Sequence, residues 1–133
     1  MTSYTMRVET TGPFDETVAR VCEALAEQGF GVLTEIDVRA TLREKLGVDV
    51  PAQVILGACR PQLAHEAMTA APSIAALLPC NVTVRETTDG VIVEAIDPNA
   101  MSELEDHPAV SDVAAEARSL LRAALDRIVL QEA

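Results

Sequence analysis

The chain has 133 residues, 49% of them hydrophobic, and carries 10 basic against 21 acidic side chains for a net charge of −11. That length makes a single domain able to bury roughly two-thirds of its unfolded surface, and so acidic a surface repels nucleic-acid phosphates and anionic headgroups. Phe14, Phe30 and Tyr4 are the only aromatic residues, so the core is aliphatic and no stacking platform for bases exists.

The one basic cluster, Arg39, Arg43 and Lys45, is ringed by Glu35, Asp37 and Glu44. No run approaches the roughly 18 apolar residues that span a bilayer. Met1-Thr2-Ser3-Tyr4 leads straight into strand-like alternation, without a charged-then-apolar leader. Three cysteines, an odd number without an export signal, argue against a disulfide framework. The expectation is a cytoplasmic protein with neither nucleic acid nor membrane as partner.

In chain order, residues 4–10 alternate, with Tyr4, Met6 and Val8 on one side and Thr5, Arg7 and Glu9 on the other, as a half-buried strand does. Thr11-Gly12-Pro13 breaks it. A helix follows, with Asp15 and Glu16 in its first turn, Val18, Val21, Cys22 and Leu25 at helical spacing, and Gly29 as its left-handed stop. Phe30 to Ile36 reads as the next strand. Asp37 then stands at an N-cap before a short helix with Val38, Leu42 and Leu46 at four-residue intervals, ended by Gly47.

Gln53 to Ala58 is a third strand, and Pro61 opens a helix whose inner face is Leu63, Ala64, Ala67, Met68 and Ala71. Pro72 ends that helix, and Ser73 to Leu78 is a short link. Asn81 to Glu86 and Val91 to Ile96 are strands joined through Thr87-Thr88-Asp89-Gly90, a hairpin signal. Ser102 and Glu105 have the spacing of a capping box. The last helix, about 108–130, carries one apolar stripe through Val110, Val113, Ala117, Leu121, Ala124 and Ile128. This order specifies an α+β fold: one two-layer domain over 1–133, with a mixed β-sheet of about five strands covered by helices and a long C-terminal helix.

Four stretches together carry a family likeness: Gly29-Phe30-Gly31-Val32-Leu33-Thr34-Glu35-Ile36-Asp37, Ile55-Leu56-Gly57-Ala58-Cys59-Arg60-Pro61, Leu77-Leu78-Pro79-Cys80-Asn81-Val82 and Ile96-Asp97-Pro98. In these the chain resembles the domain of unknown function 302 family, over residues 14–101. Where that family usually has Asn between the first Cys and the Pro, this chain has Arg60. The resemblance implies a compact α+β domain that dimerises, and it implies no reaction.

Chemistry concentrates at two turns, Cys59-Arg60-Pro61 and Pro79-Cys80-Asn81. Cys59 lies just before a helix start, where unpaired N–H groups favour a thiolate, and Arg60 adds a cation; the plainer role is a small residue closing a strand. Cys80 opens a strand. If strands 53–58 and 81–86 are antiparallel neighbours the two thiols approach; if parallel, they lie roughly 15–20 Å apart at ~3.3 Å per residue. A thiol pair suits a soft or borderline ion, copper or zinc, or dithiol–disulfide cycling. Zinc needs two further ligands, and beyond carboxylates only His65 and His107 are available, without a CxxC or HxxxH spacing.

The remaining candidates have simpler explanations. Cys22 faces inward on the first helix as core filler, and His65 falls off its helix's apolar stripe. Asp37 is accounted for by capping and Asp97 by the turn before Pro98. Asn81 can orient a ligand or bond its own backbone. None of the six glycines forms a phosphate loop of GxGxxG or GxxxxGK type. Three functions remain open. The first is a metal- or small-ligand-binding module, expected as a homodimer, using Cys59, Arg60, Cys80 and Asn81. The second is a thiol-redox or sulfur-transfer enzyme with Cys59 as nucleophile. The third is a structural or partner-binding domain.

Overall fold

A computed structural model describes residues 3–132; Met1, Thr2 and Ala133 lie outside them. Strand β1 (Thr5–Thr10) feeds helix α1 (Phe14–Glu27), which stops at Gly29. Gly29 has φ +83°, Phe30 N donates to Leu25 O at 3.0 Å, and Gly29 N donates to Ala26 O at 3.0 Å. This paired stop needs a left-handed residue, which glycine adopts without a Cβ penalty. Leu25 and Phe30, on either side of it, are both buried.

Strand β2 (Gly31–Asp37) runs into α2 (Val38–Leu46), and Asp37 Oδ1 accepts from Ala40 N at 2.9 Å, the cap expected of it. The apolar face of α2 is not covered as its spacing suggests: no α2 residue is buried, and Leu46 is 69% exposed. Strand β3 (Gln53–Cys59), helix α3 (Pro61–Ala70) and a 3₁₀ turn (Pro72–Leu77) follow, then β4 (Cys80–Thr87) and β5 (Gly90–Ile96). The β4–β5 connection is a two-residue turn, closed by the pair Thr87 and Gly90.

The sheet has five strands in the order β1-β5-β4-β3-β2. Every pairing is antiparallel, where the sequence suggested a mixed sheet. The reason is that α3 and the 3₁₀ turn form an excursion that returns the chain to the end of β3 it left, so β4 runs back beside β3. A parallel partner would have required a crossover to the opposite end. The one connection that spans the sheet is α1, which carries the chain from edge strand β1 to edge strand β2.

Alternation then sorts the faces. Met6, Val54, Leu56, Ala58, Val82, Val84, Val93 and Ala95 are buried on one side under the helices. Arg7, Glu9, Thr83, Arg85 and Glu94 lie on the other side, which no helix covers. Helix α5 (Pro108–Glu132) supplies most of the cover through Val110, Val113, Ala114, Ala117, Leu121, Ala124, Leu125 and Ile128, all buried. The stripe recurs at three- and four-residue steps, as a helix lying along a sheet requires.

The capping box expected at Ser102 and Glu105 does not form. Ser102 lies inside α4 (Asn99–Leu104), its hydroxyl donating to Asn99 O at 2.8 Å, because Asp97 starts the turn earlier by accepting from Asn99 N at 2.9 Å. The cap of α5 is His107, whose Nδ1 accepts from Ala109 N at 3.1 Å. A buried polar lock ties the α1 end of the layer together: Arg20 donates to Thr10 Oγ1 and Thr17 Oγ1, both at 3.3 Å, and to Ile128 O at 3.4 Å.

Leu121 is fully buried and Leu104 is 74% exposed. Leu121→Ala should therefore cost about 3 kcal/mol in urea unfolding, whereas Leu104→Ala should stay within about 0.5 kcal/mol. Equal costs would contradict the assignment of the α5 face.

Candidate functional site

The two cysteine turns meet at one end of the covered face. In the β3–β4 register Ala58 pairs with Cys80, so Cys59 sits one position further along the neighbouring strand. The antiparallel alternative holds, and the strand ends are adjacent. Consecutive strand residues point to opposite faces, so the thiols flank Ala58 diagonally instead of standing directly opposite. Cys80, like Ala58, is buried beneath the helices. Asn81 is on the other face, exposed, where it pairs with Gly57. Gly57 has to lack a side chain, since a Cβ there would run into Thr34 Oγ1 and Pro79 Cγ.

Between this strand end, α3 and α5 lies an apolar cavity of about 30 Å³, room for a single water. Cys59, Arg60 and Cys80 border it together with Phe30, Leu63 and Ile74. Three of the four residues singled out in the sequence thus converge on one pocket, and Asn81 does not. Small residues make the space: Ala64 and Ala67 on α3 and Ala117 on α5 stand where larger side chains would close it.

Arg60 is the N-cap of α3 and makes no side-chain cap bond. Its side chain lies across Gly29, so a Cβ on Gly29 would come within 2.9 Å of Nε. That Nε is enclosed and has no hydrogen-bond partner. Among the described residues it is the one buried side-chain nitrogen or oxygen in that position. Buried donors are nearly always paired, which makes this atom the anomaly of the structure.

Burial, and next the neighbouring Cys59, push the Cys80 thiol up from the ordinary 9.0 to about 11. Cys80 is therefore a neutral thiol at physiological pH, opposite to what a nucleophile or ready metal ligand needs. Cys22, half-buried on α1, is also raised, by burial first and then by Glu35. All three cysteines are free. Among the described residues no three or more His, Cys, Asp or Glu side chains are grouped as a metal would need. His65 is exposed on α3, and His107 is occupied in capping. Asp97 is held by its turn and by Arg118 Nε at 3.1 Å.

The uncovered face of the sheet carries a second polar centre that the chain order gave no hint of. Glu94 accepts from Thr5 Oγ1 and from Arg85 Nη1, each at 2.6 Å. The Thr5 bond first, then Arg85, hold its carboxyl below the ordinary 4.5. These residues floor a cleft of about 520 Å³ walled by Tyr4, Leu77, Pro79 and Asn81. The signal was the hairpin register, which sets Thr83 opposite Glu94 and Arg85 opposite Ile92.

Fold and pocket together define a small two-layer α+β domain with a half-closed apolar pocket at one end of its sheet. The family described as "Domain of unknown function DUF302" matches residues 4–128, and the chain belongs to it. The match extends to both sides of the 14–101 region read from the motifs. A solved structure, titled "Crystal structure of uncharacterized conserved protein DUF302 from Bacillus stearothermophilus", is similar at 30% identity with a TM-score of 0.87. The alignment covers 95% of this chain and 98% of that one. No curated protein matches.

Two pH effects follow. Cys80 binds its proton more tightly folded than unfolded, so its contribution is whole below pH 9.0 and is lost as pH rises towards about 11. The loss should reach about 2–3 kcal/mol at 1.36 kcal/mol per unit, and Cys80→Ala should melt with a flatter alkaline limb. Iodoacetamide should label Cys80 last. For Glu94 the sign reverses: its stabilisation is present above 4.5 and disappears on acidification through its lowered value. Glu94→Gln should therefore lose less stability than the parent chain on acidification below 4.5.

Proposed function

We propose that this protein is a small-ligand-binding module whose site is the pocket bordered by Cys59, Arg60 and Cys80. The observation that carries this reading is the convergence of three separate element ends, those of β3, α3 and β4, on one apolar cavity bordered by Arg60, whose Nε is buried without a partner. Small-molecule sites are likewise apolar with few polar groups but hold roughly 300–1,000 Å³, so this cavity of about 30 Å³ has to open for a ligand to enter. The same guanidinium disfavours a metal cation beside it, so an organic ligand fits better than copper or zinc. Free thiols suit the reducing compartment expected for the chain.

The module acts as a homodimer in this proposal. Strand β2 is an edge strand and is exposed throughout its length. Leu33 and Ile36 on β2, Leu46 at the end of α2 and Val48 just beyond it are all large and exposed. Exposed apolar side chains on and after an unpaired edge strand favour association.

Two experiments test the proposal. n-Hexanol titrated into methyl-labelled protein should shift the Leu63, Ile74 and Leu78 resonances. Ala64→Leu, which fills the pocket, should weaken that binding by about tenfold or more without lowering the melting temperature. Shifts confined to other parts of the molecule would contradict the site. In light scattering the chain should run at twice its 14.2 kDa mass, and Leu33→Lys with Ile36→Lys should return it to a monomer.

A further inference from the structure

Resting on the pocket reading above, we infer that the ligand is a small carboxylic acid, its carboxylate received by Arg60 and its short apolar tail by the cavity beneath. The wall that faces the tail is aliphatic, with Leu63, Ile74, Leu78 and Val110 among its members, and Arg60 is the only charged residue that borders it. One end of the site is thus cationic and the rest is apolar. An apolar body with a single anionic head matches that division.

Nε identifies the kind of head. A carboxylate meets guanidinium side-on through two parallel N–H donors, and Nε–H with one terminal N–H forms one such edge. Here Nε–H is enclosed and has no acceptor, while Arg60 as a whole is half-buried and reaches towards solvent. The donor edge is therefore held against Gly29 without a partner of the protein's own, and it becomes available when the side chain moves. A water is a poor substitute, since a buried water needs two to four polar partners and these walls offer little beyond the guanidinium and thiols. A phosphate dianion fits less well than a carboxylate. No second cation borders the pocket, and a net charge of −11 opposes multiply charged anions.

The cavity of about 30 Å³ admits only the tip of a tail while Arg60 lies across Gly29. Entry requires that side chain to lift, a rotamer change of the kind half-exposed residues make readily. The carboxylate then holds it in the lifted position. Arg60 is thus both head group receptor and cover.

The test compares hexanoate with n-hexanol by the same methyl-resonance titration, on the parent chain, Arg60→Met and Arg60→Lys. Hexanoate should bind the parent at least about tenfold more tightly than hexanol, the scale of one charge-assisted pairing. Arg60→Met keeps the aliphatic stem and should abolish the preference while leaving hexanol affinity within about threefold. Arg60→Lys keeps the charge but loses the fork, and should lose most of the preference. Equal affinity of both probes for the parent, or a preference that survives in Arg60→Met, would overturn the carboxylate assignment while the pocket stands. Failure of both probes to move the pocket methyls would remove the pocket reading itself.

Discussion

The structure depends on keeping one face of a five-stranded sheet dry, and α5 is the element that does so. Its 25 residues span about 37 Å at 1.5 Å per residue, enough to cross the strands. It is the longest helix among the described residues, with α1 next at 14 residues. The stripe from Val110 to Ile128 belongs to one core cluster with the valines of β4 and β5, the hydrophobic contribution that a chain with almost no aromatic side chains has to obtain from many small aliphatic contacts. Alanine dominates where helices approach closest: Ala24, Ala67, Ala114, Ala117 and Ala124 are all buried. Small residues bring layers near, but they also leave gaps where three elements meet. The pocket lies at such a junction, between the ends of β3 and β4 and the helices α3 and α5.

That position explains why the distinctive turns meet there. The β3–β4 register is fixed by which side chains have to face inward, since a slip of one residue would turn Leu56 and Val82 to solvent. Once Ala58 pairs with Cys80, the residues just past the strand ends, Arg60 on one side and Pro79 on the other, sit at the rim of the covered layer. Leu78–Pro79 is a cis peptide at that rim. The site is thus a by-product of packing that the chain has furnished with a cation, and the cation is the one feature that packing alone does not explain.

Much of the fold was legible from local rules because each rule had one dominant cause. Gly29 and Asp37 announced a helix stop and a helix start by chemistry confined to a few neighbouring residues, and the register of α5 followed from its own spacing. Properties that depend on distant partners were not legible. The antiparallel course of β4 rests on where α3 and its 3₁₀ turn return the chain, and neither element's composition states that. The exposure of Leu46 depends on α2 lying outside the core, although its spacing was amphipathic. At the site, the alternating strand pattern put Cys80 and Asn81 on opposite faces, but choosing which face was covered required the helix layer. Arg60 could be noticed as a cation beside a cysteine. Its lack of an acceptor appears only when Gly29, from the far end of α1, is seen lying under it.

Cys80, one of the two cysteines that drew attention first, sits in surroundings unlike those its turn suggested. A reactive thiol needs an electropositive, partly wetted setting that lowers its pKa. Cys80 has the reverse: burial is the larger cause of its upward shift and Cys59 adds to it, so its ionisation is suppressed where a nucleophile would need it promoted. In this setting Cys80 behaves as a small hydrophobe with a weak S–H donor, suited to lining a cavity. The proposed site at this end of the sheet consequently rests on Arg60, the one charged side chain among the described residues that borders the pocket. Recognition there, in the proposed reading, is by shape and charge, through an aliphatic wall and one cation.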